Sequence, residues 1–233
     1  MAGPNTTWSS KDNIADLLDE YGNSIDTSQA TASGSVNPQK PGTYSVTYSY
    51  TDGQGNSITQ PATVKVVQTQ ASISTTDSTL IAGPNTKWNP ASNFAAAKDK
   101  DGNPVSYSSQ ISTNSGVDTE KLNTYLVTYS YQDEAGNTVS STAKITVVAS
   151  QGGVAAKDST LIAGPNTKWT AADNFTSATD ENGNPVDLSK VTVDGSVDTT
   201  KPGSYPITYT YTDGEEHSFS EGNSNGRPKL RAV

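Results

Sequence analysis

Apolar and polar residues alternate along this chain over short stretches that end at turn-forming clusters. In Tyr205-Pro206-Ile207-Thr208-Tyr209-Thr210-Tyr211, the residues Tyr205, Ile207, Tyr209 and Tyr211 fall on one face of a period-two strand, with Pro206, Thr208 and Thr210 opposite. The same pattern predicts a strand at Val191-Thr192-Val193 and another at residues 143–147, where Ala143, Ile145 and Val147 point inward. Residues 159–163 read as a short leading strand. After Trp169, Thr170 reads as the cap of a helical turn with Asp173 three residues on. Residues 180–184, Asp-Glu-Asn-Gly-Asn, and Lys201-Pro202-Gly203 read as turns.

This pattern occurs three times. Trp8, Trp88 and Trp169 are 80 and 81 residues apart, and Tyr44, Tyr125 and Tyr205 are 81 and 80 apart. Residues 77–88 (DSTLIAGPNTKW) recur unchanged as residues 158–169. A period near 80 exceeds that of solenoid repeats and suits a small self-contained domain. Roughly seven short strands per period imply an all-β chain of tandem immunoglobulin-like β-sandwiches. Expected domains are residues 1–69, lacking a first strand; 70–150, complete; and 151–214, lacking the last strand. Residues 68–76 and 150–157 read as joints, and the central copy as the one closed sandwich. Each small core should rest on its Trp, its tyrosine row and the Ile14, Phe94 or Phe175 position. Residues 215–233 depart in composition, holding the lone His217 and both arginines, Arg227 and Arg231. They read as a disordered, non-native tail.

Composition supports the strand reading and removes several function classes. Ser and Thr make up 62 of 233 residues, which disfavours long helices. A net charge of −9 without a basic stripe argues against nucleic acid. No stretch approaches the ~20 apolar residues of a membrane span. With no cysteine, disulfides, thiol catalysis and thiolate metal sites are excluded. The start, Met1 followed by AGPNTTW, does not read as a signal peptide, and no LPxTG-like sorting motif is found.

The combined pattern AGPNTxW, then NF, DxxGNPV, VDTTKPGxYxVTYxYxDxxGN and TAxITV resembles the group 3 bacterial Ig-like repeats of Gram-positive surface proteins, over about residues 2–214. Such domains are common in adhesins and mucus-binding proteins of lactic acid bacteria. The resemblance implies an extracellular stalk or adhesive segment, attached to the cell wall through a region outside this chain. Its motif is structural, so it implies no catalytic residue and no cofactor. The tyrosine after Pro-Gly-x resembles the corner tyrosine of Ig-like folds, whose hydroxyl bonds backward across the turn.

Four chemistries are candidates. Residues 99–103 and 180–184 open like acidic calcium loops, but their glycine falls at position 4 rather than 6, and Gln110 or Val191 stands at position 12. A turn explains them without metal. Catalysis lacks a nucleophile elbow and a histidine outside the tail. Asn13, Asn93 and Asn174 occupy equivalent positions and invite a Lys–Asn isopeptide bond. However, no lysine recurs in all three copies except Lys40, Lys121 and Lys201 in the turn, which leaves a backbone-bonding role. Tyr50, Tyr131 and Tyr211, near a strand end, are the candidate ligand-binding residues, expected to be partly exposed. The favoured function is a stalk of Ig-like beads contacting neighbouring domains. The alternative is a module binding host mucin or glycans by avidity.

Overall fold

A computed structural model describes residues 1–222; Arg227 and Arg231 lie outside the described residues. All regular structure there is strand or short 3-10 turn. The first repeat holds β1 (Thr31–Ser33), β2 (Gly42–Thr51) and β3 (Ser57–Val66), paired in the order β1-β2-β3. The second holds β4 (Ser72–Thr75), β5 (Ser78–Ile81), β6 (Phe94–Lys98), β7 (Pro104–Val105), β8 (Ile111–Thr113), β9 (Asn123–Gln132) and β10 (Thr138–Val148). These make one sheet β4-β6-β7 and another β5-β10-β9-β8. The third holds β11 (Gly153–Ala156) with β12 (Phe175–Thr179), and β13 (Thr192–Asp194), β14 (Thr208–Thr212) and β15 (Ser218–Gly222) in the order β13-β14-β15. The described chain divides into two compact units. One comprises Met1–Thr76, Pro90–Ser115 and Val127–Ala143; the other Asp77–Asn89, Gly116–Leu126 and the chain from Lys144 on.

The third repeat shows how the sandwich is filled. Ile207, Tyr209 and Tyr211 meet Ala178 and Val191, with Phe175, Trp169, Val154 and Phe219 packed around them. A buried tyrosine must place its hydroxyl, and the middle tyrosine of each row does so in the same way. Tyr48, Tyr129 and Tyr209 each donate at 2.7 Å to the 3-10 turn after the tryptophan, at the carbonyls of Ser10, Pro90 and Ala171. That turn is capped by its own side chains: Ser9 with Asp12, and Thr170 with Asp173, form capping boxes. The corner tyrosines Tyr44, Tyr125 and Tyr205 donate to the carbonyls of Lys40, Lys121 and Lys201 at 2.8, 3.5 and 3.0 Å.

Three expectations need correction. The joints are not plain linkers, because β4 and β11 lie within them and pair with β6 and β12. Small or β-branched residues at alternate positions (Ile73; Val154, Ala156) let them pack against the opposite sheet. The first repeat therefore lacks the counterparts of both β4 and β5. Residues 159–163 carry a single bridge residue, Ile162, rather than a strand.

The tail reading also fails for part of its length. Ser218–Gly222 form β15 against β14, with Phe219 opposite Tyr211. The alternation His-Ser-Phe-Ser keeps one apolar residue facing inward, which is enough to extend the sheet.

The hairpin turn before β15 shows what the altered sequence costs. Where the second repeat has Gly136 at φ 84°, the third has Glu216 at φ 64°, a left-handed conformation that costs a side-chain-bearing residue about 1–2 kcal/mol. Glu216→Gly is expected to stabilise the third repeat by about 1 kcal/mol, read as a higher urea midpoint at unchanged slope.

Candidate functional site: the joint between repeats

The residues that recur most faithfully in this sequence meet where one repeat follows another. The AGPNT segments of the first two repeats, the second leading out of β5, each lie against a hairpin turn of the next repeat. In the first joint, Asn5 N–H donates to the Ala135 carbonyl at 2.9 Å, and Asn137 Nδ2 donates to the Ala2 carbonyl at 2.9 Å. In the second, Thr86 Oγ1 donates to Glu215 Oε2 at 2.6 Å, and Asn85 Nδ2 to the Gly214 carbonyl at 3.4 Å. The glycine of the motif is required by contact. A Cβ on Gly3 would lie 2.3 Å from the Ala135 carbonyl oxygen, and one on Gly83 would lie 2.6 Å from Glu215 Cβ.

The turn is held by an aspartate that also grips the joint. Asp133 and Asp213 are buried. Asp133 accepts from Asn137 N–H at 2.9 Å and from Thr69 Oγ1 at 2.6 Å. Asp213 accepts from His217 N–H at 2.8 Å and from Ser150 Oγ at 2.7 Å, and its Oδ2 lies 3.0 Å from His217 Nδ1. Burial pushes both carboxyls up, but the bonds from Thr69 and Asn137, or from Ser150 and His217, outweigh it. Both therefore sit below the ordinary carboxylate value.

Further along, the joint is fastened by an asparagine. Asn174 accepts from Trp169 Nε1 at 2.6 Å and from Ser159 Oγ at 3.1 Å, and donates to the Lys157 carbonyl at 2.6 Å. Asn93 likewise donates to the Thr76 carbonyl at 2.7 Å. Both are buried. The backbone completes the clamp, with Thr76 N–H bonding the Asn93 carbonyl and Lys157 N–H the Asn174 carbonyl. These asparagines were candidates for a covalent staple; here they bond to backbone.

The candidate ligand tyrosines divide. Tyr131 and Tyr211 are only 6% and 8% exposed, against the expectation of partial exposure, because each joint strand folds over that end of the sandwich. Gly152 of the joint, for instance, lies on the Phe219 ring beside Tyr211. Only Tyr50, in the repeat without a joint strand, stays half-open. Burial raises all three phenols above their ordinary value. In the loops weighed for calcium, Asp99 Oδ1 accepts from Asp101 and Asn103 N–H and Oδ2 from Asn103 Nδ2, and Asp180 is bonded alike by Asn182 and Asn184. Each carboxylate is thus engaged by its own turn.

The first two repeats match the bacterial surface protein, Ig-like domain family at residues 6–66 and 75–147, together more than half of the chain. The chain belongs to this family. Its third repeat matches the bacterial Ig-like domain (group 3) family at residues 154–220. These Ig-like families are generally non-catalytic, and they place the chain among structural modules of bacterial surface proteins. No helix among the described residues is long and apolar enough to cross a membrane. No curated protein matches the sequence.

Among solved structures, the M60 catalytic domain with the CBM51-1 and CBM51-2 domains of Clostridium perfringens ZmpB is 25% identical, covering 74% of this chain and 16% of its own, with a TM-score of 0.27. A tetra-tandem repeat in the extending region of a large adhesion protein is 18% identical, covering 91% and 65%, with a TM-score of 0.24. PcdhgB3 EC1-4 is 10% identical, covering 90% and 65%, with a TM-score of 0.27. The Ig-like chain thus spans 16 to 65% of the length of these structures. Similarities this weak carry no argument about function.

Two outcomes are expected at the joints. Gly83→Ala should loosen the second joint by about 1–3 kcal/mol, the range for forcing an extra carbon into packed structure. Hydrogen exchange would show it as faster exchange at the Thr86 amide. Separately, the depressed Asp133 and Asp213 stabilise the folded joints fully above the unfolded carboxylate value of about 3.9. That contribution is lost as pH falls through the lower folded values. The melting temperature should therefore hold from pH 7 to 5 and drop below about pH 4, and Asp213→Asn should reduce the drop.

Proposed function

We propose that this Ig-like chain is a stalk segment of an extracellular adhesin, attached to the wall of a Gram-positive cell through another part of its protein. The joints carry this reading. Each is packed structure in which a shared strand, a buried aspartate and a glycine contact connect one repeat to the next. A chain whose task is to hold other domains in place gains from such joints, because fixed connections limit the conformations available between modules. In this role the chain's partners are its neighbouring domains, and it needs no catalytic group and no cofactor.

The alternative, avidity for mucin or host glycans through Tyr50, Tyr131 and Tyr211, asks for a repeated exposed aromatic. Two of the three tyrosines lie under joint strands, which favours the stalk. The test is titration of the whole chain against immobilised mucin and a glycan array. The stalk reading expects no saturable binding. Saturable binding that Tyr50→Ala abolishes would replace it with a single-site glycan module.

A further inference from the structure

The leading end of the first repeat is open where the other two are closed. A groove of about 420 Å³ runs along it, bordered by Ile14, Leu17, Tyr48, Tyr50, Ile58 and Gln60. Ile58 is 60% exposed there, and Leu18, just beyond the groove, is 45% exposed. Residues 14–17 carry no strand pairing, although their counterparts, β6 and β12, pair along β4 and β11. We propose that this groove is a strand-docking site whose occupant is the joint segment of another Ig-like repeat of this kind.

The chain displays the bound state twice. The two joints share a pattern in register: Thr69-Gln70-Ala71-Ser72-Ile73 and Ser150-Gln151-Gly152-Gly153-Val154. In the occupied repeats, Ile73 pairs with Ala97 and Val154 with Ala178; the residue waiting in the first repeat is Leu17. Gln70 and Gln151 N–H bond the carbonyls of Lys100 and Glu181, and their side chains cover Gly102 and Gly183. The equivalent Gly22 has nothing within 4 Å of its Cβ position. Thr75 Oγ1 lies 2.9 Å from Ser141 Oγ, the counterpart of Gln60 at the groove's edge.

Two polar groups await the same strand. Asp52 is bonded within its own turn by Gln54 and Asn56, without the joint hydroxyl that Thr69 or Ser150 supplies to Asp133 or Asp213. Asn13, equivalent to Asn93 and Asn174, is exposed. Among the described residues its side chain has only the 2.8 Å bond from Trp8 Nε1 to its Oδ1, and its amide nitrogen has no acceptor. That nitrogen is what grips the joint carbonyl in the other repeats. An edge with unpaired backbone, an apolar channel beside it and a side-chain clamp at its end is the setting for β-strand addition. The first joint suits the groove better than the second. Ile58 corresponds to the aliphatic Val139 rather than to Phe219, over which only the glycine of the second joint fits. The inference concerns this groove alone and does not rest on the stalk reading, which a failed peptide titration would leave intact.

The test titrates the whole chain with a labelled synthetic peptide of residues 69–80 (TQASISTTDSTL), followed by fluorescence anisotropy, with hydrogen exchange to locate the bound strand. Expected are saturable one-to-one binding and new protection confined to residues 14–18 and 63–66. A peptide carrying Ile73→Asp should not bind. Asn13→Ala in the chain should weaken binding about tenfold, the effect of losing one amide bond to a carbonyl. Three results would each overturn the proposal: no saturation at millimolar peptide, equal binding of the Ile73→Asp peptide, or protection elsewhere. If Asn13→Ala disturbs the fold, the peptide variant still decides.

Discussion

A primary amide buried among apolar side chains must have its hydrogen bonds met by protein, and in this chain that requirement connects one repeat to the next. Asn174 accepts the indole N–H of Trp169 and donates to the backbone of the incoming joint. Losing the joint carbonyl would leave the buried amide nitrogen unmatched, at a cost of about 1–3 kcal/mol. The tryptophan is thereby oriented, the 3-10 turn after it is placed, and the hydroxyl of Tyr209 finds its acceptor on that turn. The core, the turn and the joint therefore depend on a common set of bonds.

The same economy appears at the other end of the joint, where an aspartate shapes a hairpin turn and accepts a hydroxyl from the arriving chain. The two fastenings lie at opposite ends of a short strand. The connecting segment is thus part of the repeat that follows it, while the AGPNT segment of the preceding repeat rests on the turn. The second and third repeats are each completed by chain that would be counted as linker on composition alone.

Much of this was legible in the residues. The period near 80, the tyrosine alternation, the corner tyrosines and the capping box at Thr170 and Asp173 are local signals, and they reappear in the structure where spacing placed them. The joints were missed because their strands are four residues long and rich in Ser, Ala and Gly, so their burial comes from the sheet they meet rather than from their own hydrophobicity. The strand at Ser218–Gly222 was hidden by composition: Glu216 and His217 replace the usual Gly and Asn of the turn, yet Asp213 still organises it. Tyr131 and Tyr211 were misjudged for a related reason, since their cover arrives from residues some 60 positions earlier in the chain. A signal for the joints was present in the shared hydroxyl-Gln-small pattern of Thr69 and Ser150, which has meaning only once the two segments are aligned.

Near-identical neighbours in one polypeptide risk exchanging parts as they fold. Gly152 lies against Phe219 so closely that a Cβ there would come within 2.4 Å of the ring. The alanine that occupies this place in the first joint could not enter the third repeat without displacing that ring. A one-carbon difference between otherwise similar strands therefore sorts them, favouring closure of each sandwich by its own segment over a cross-threaded chain.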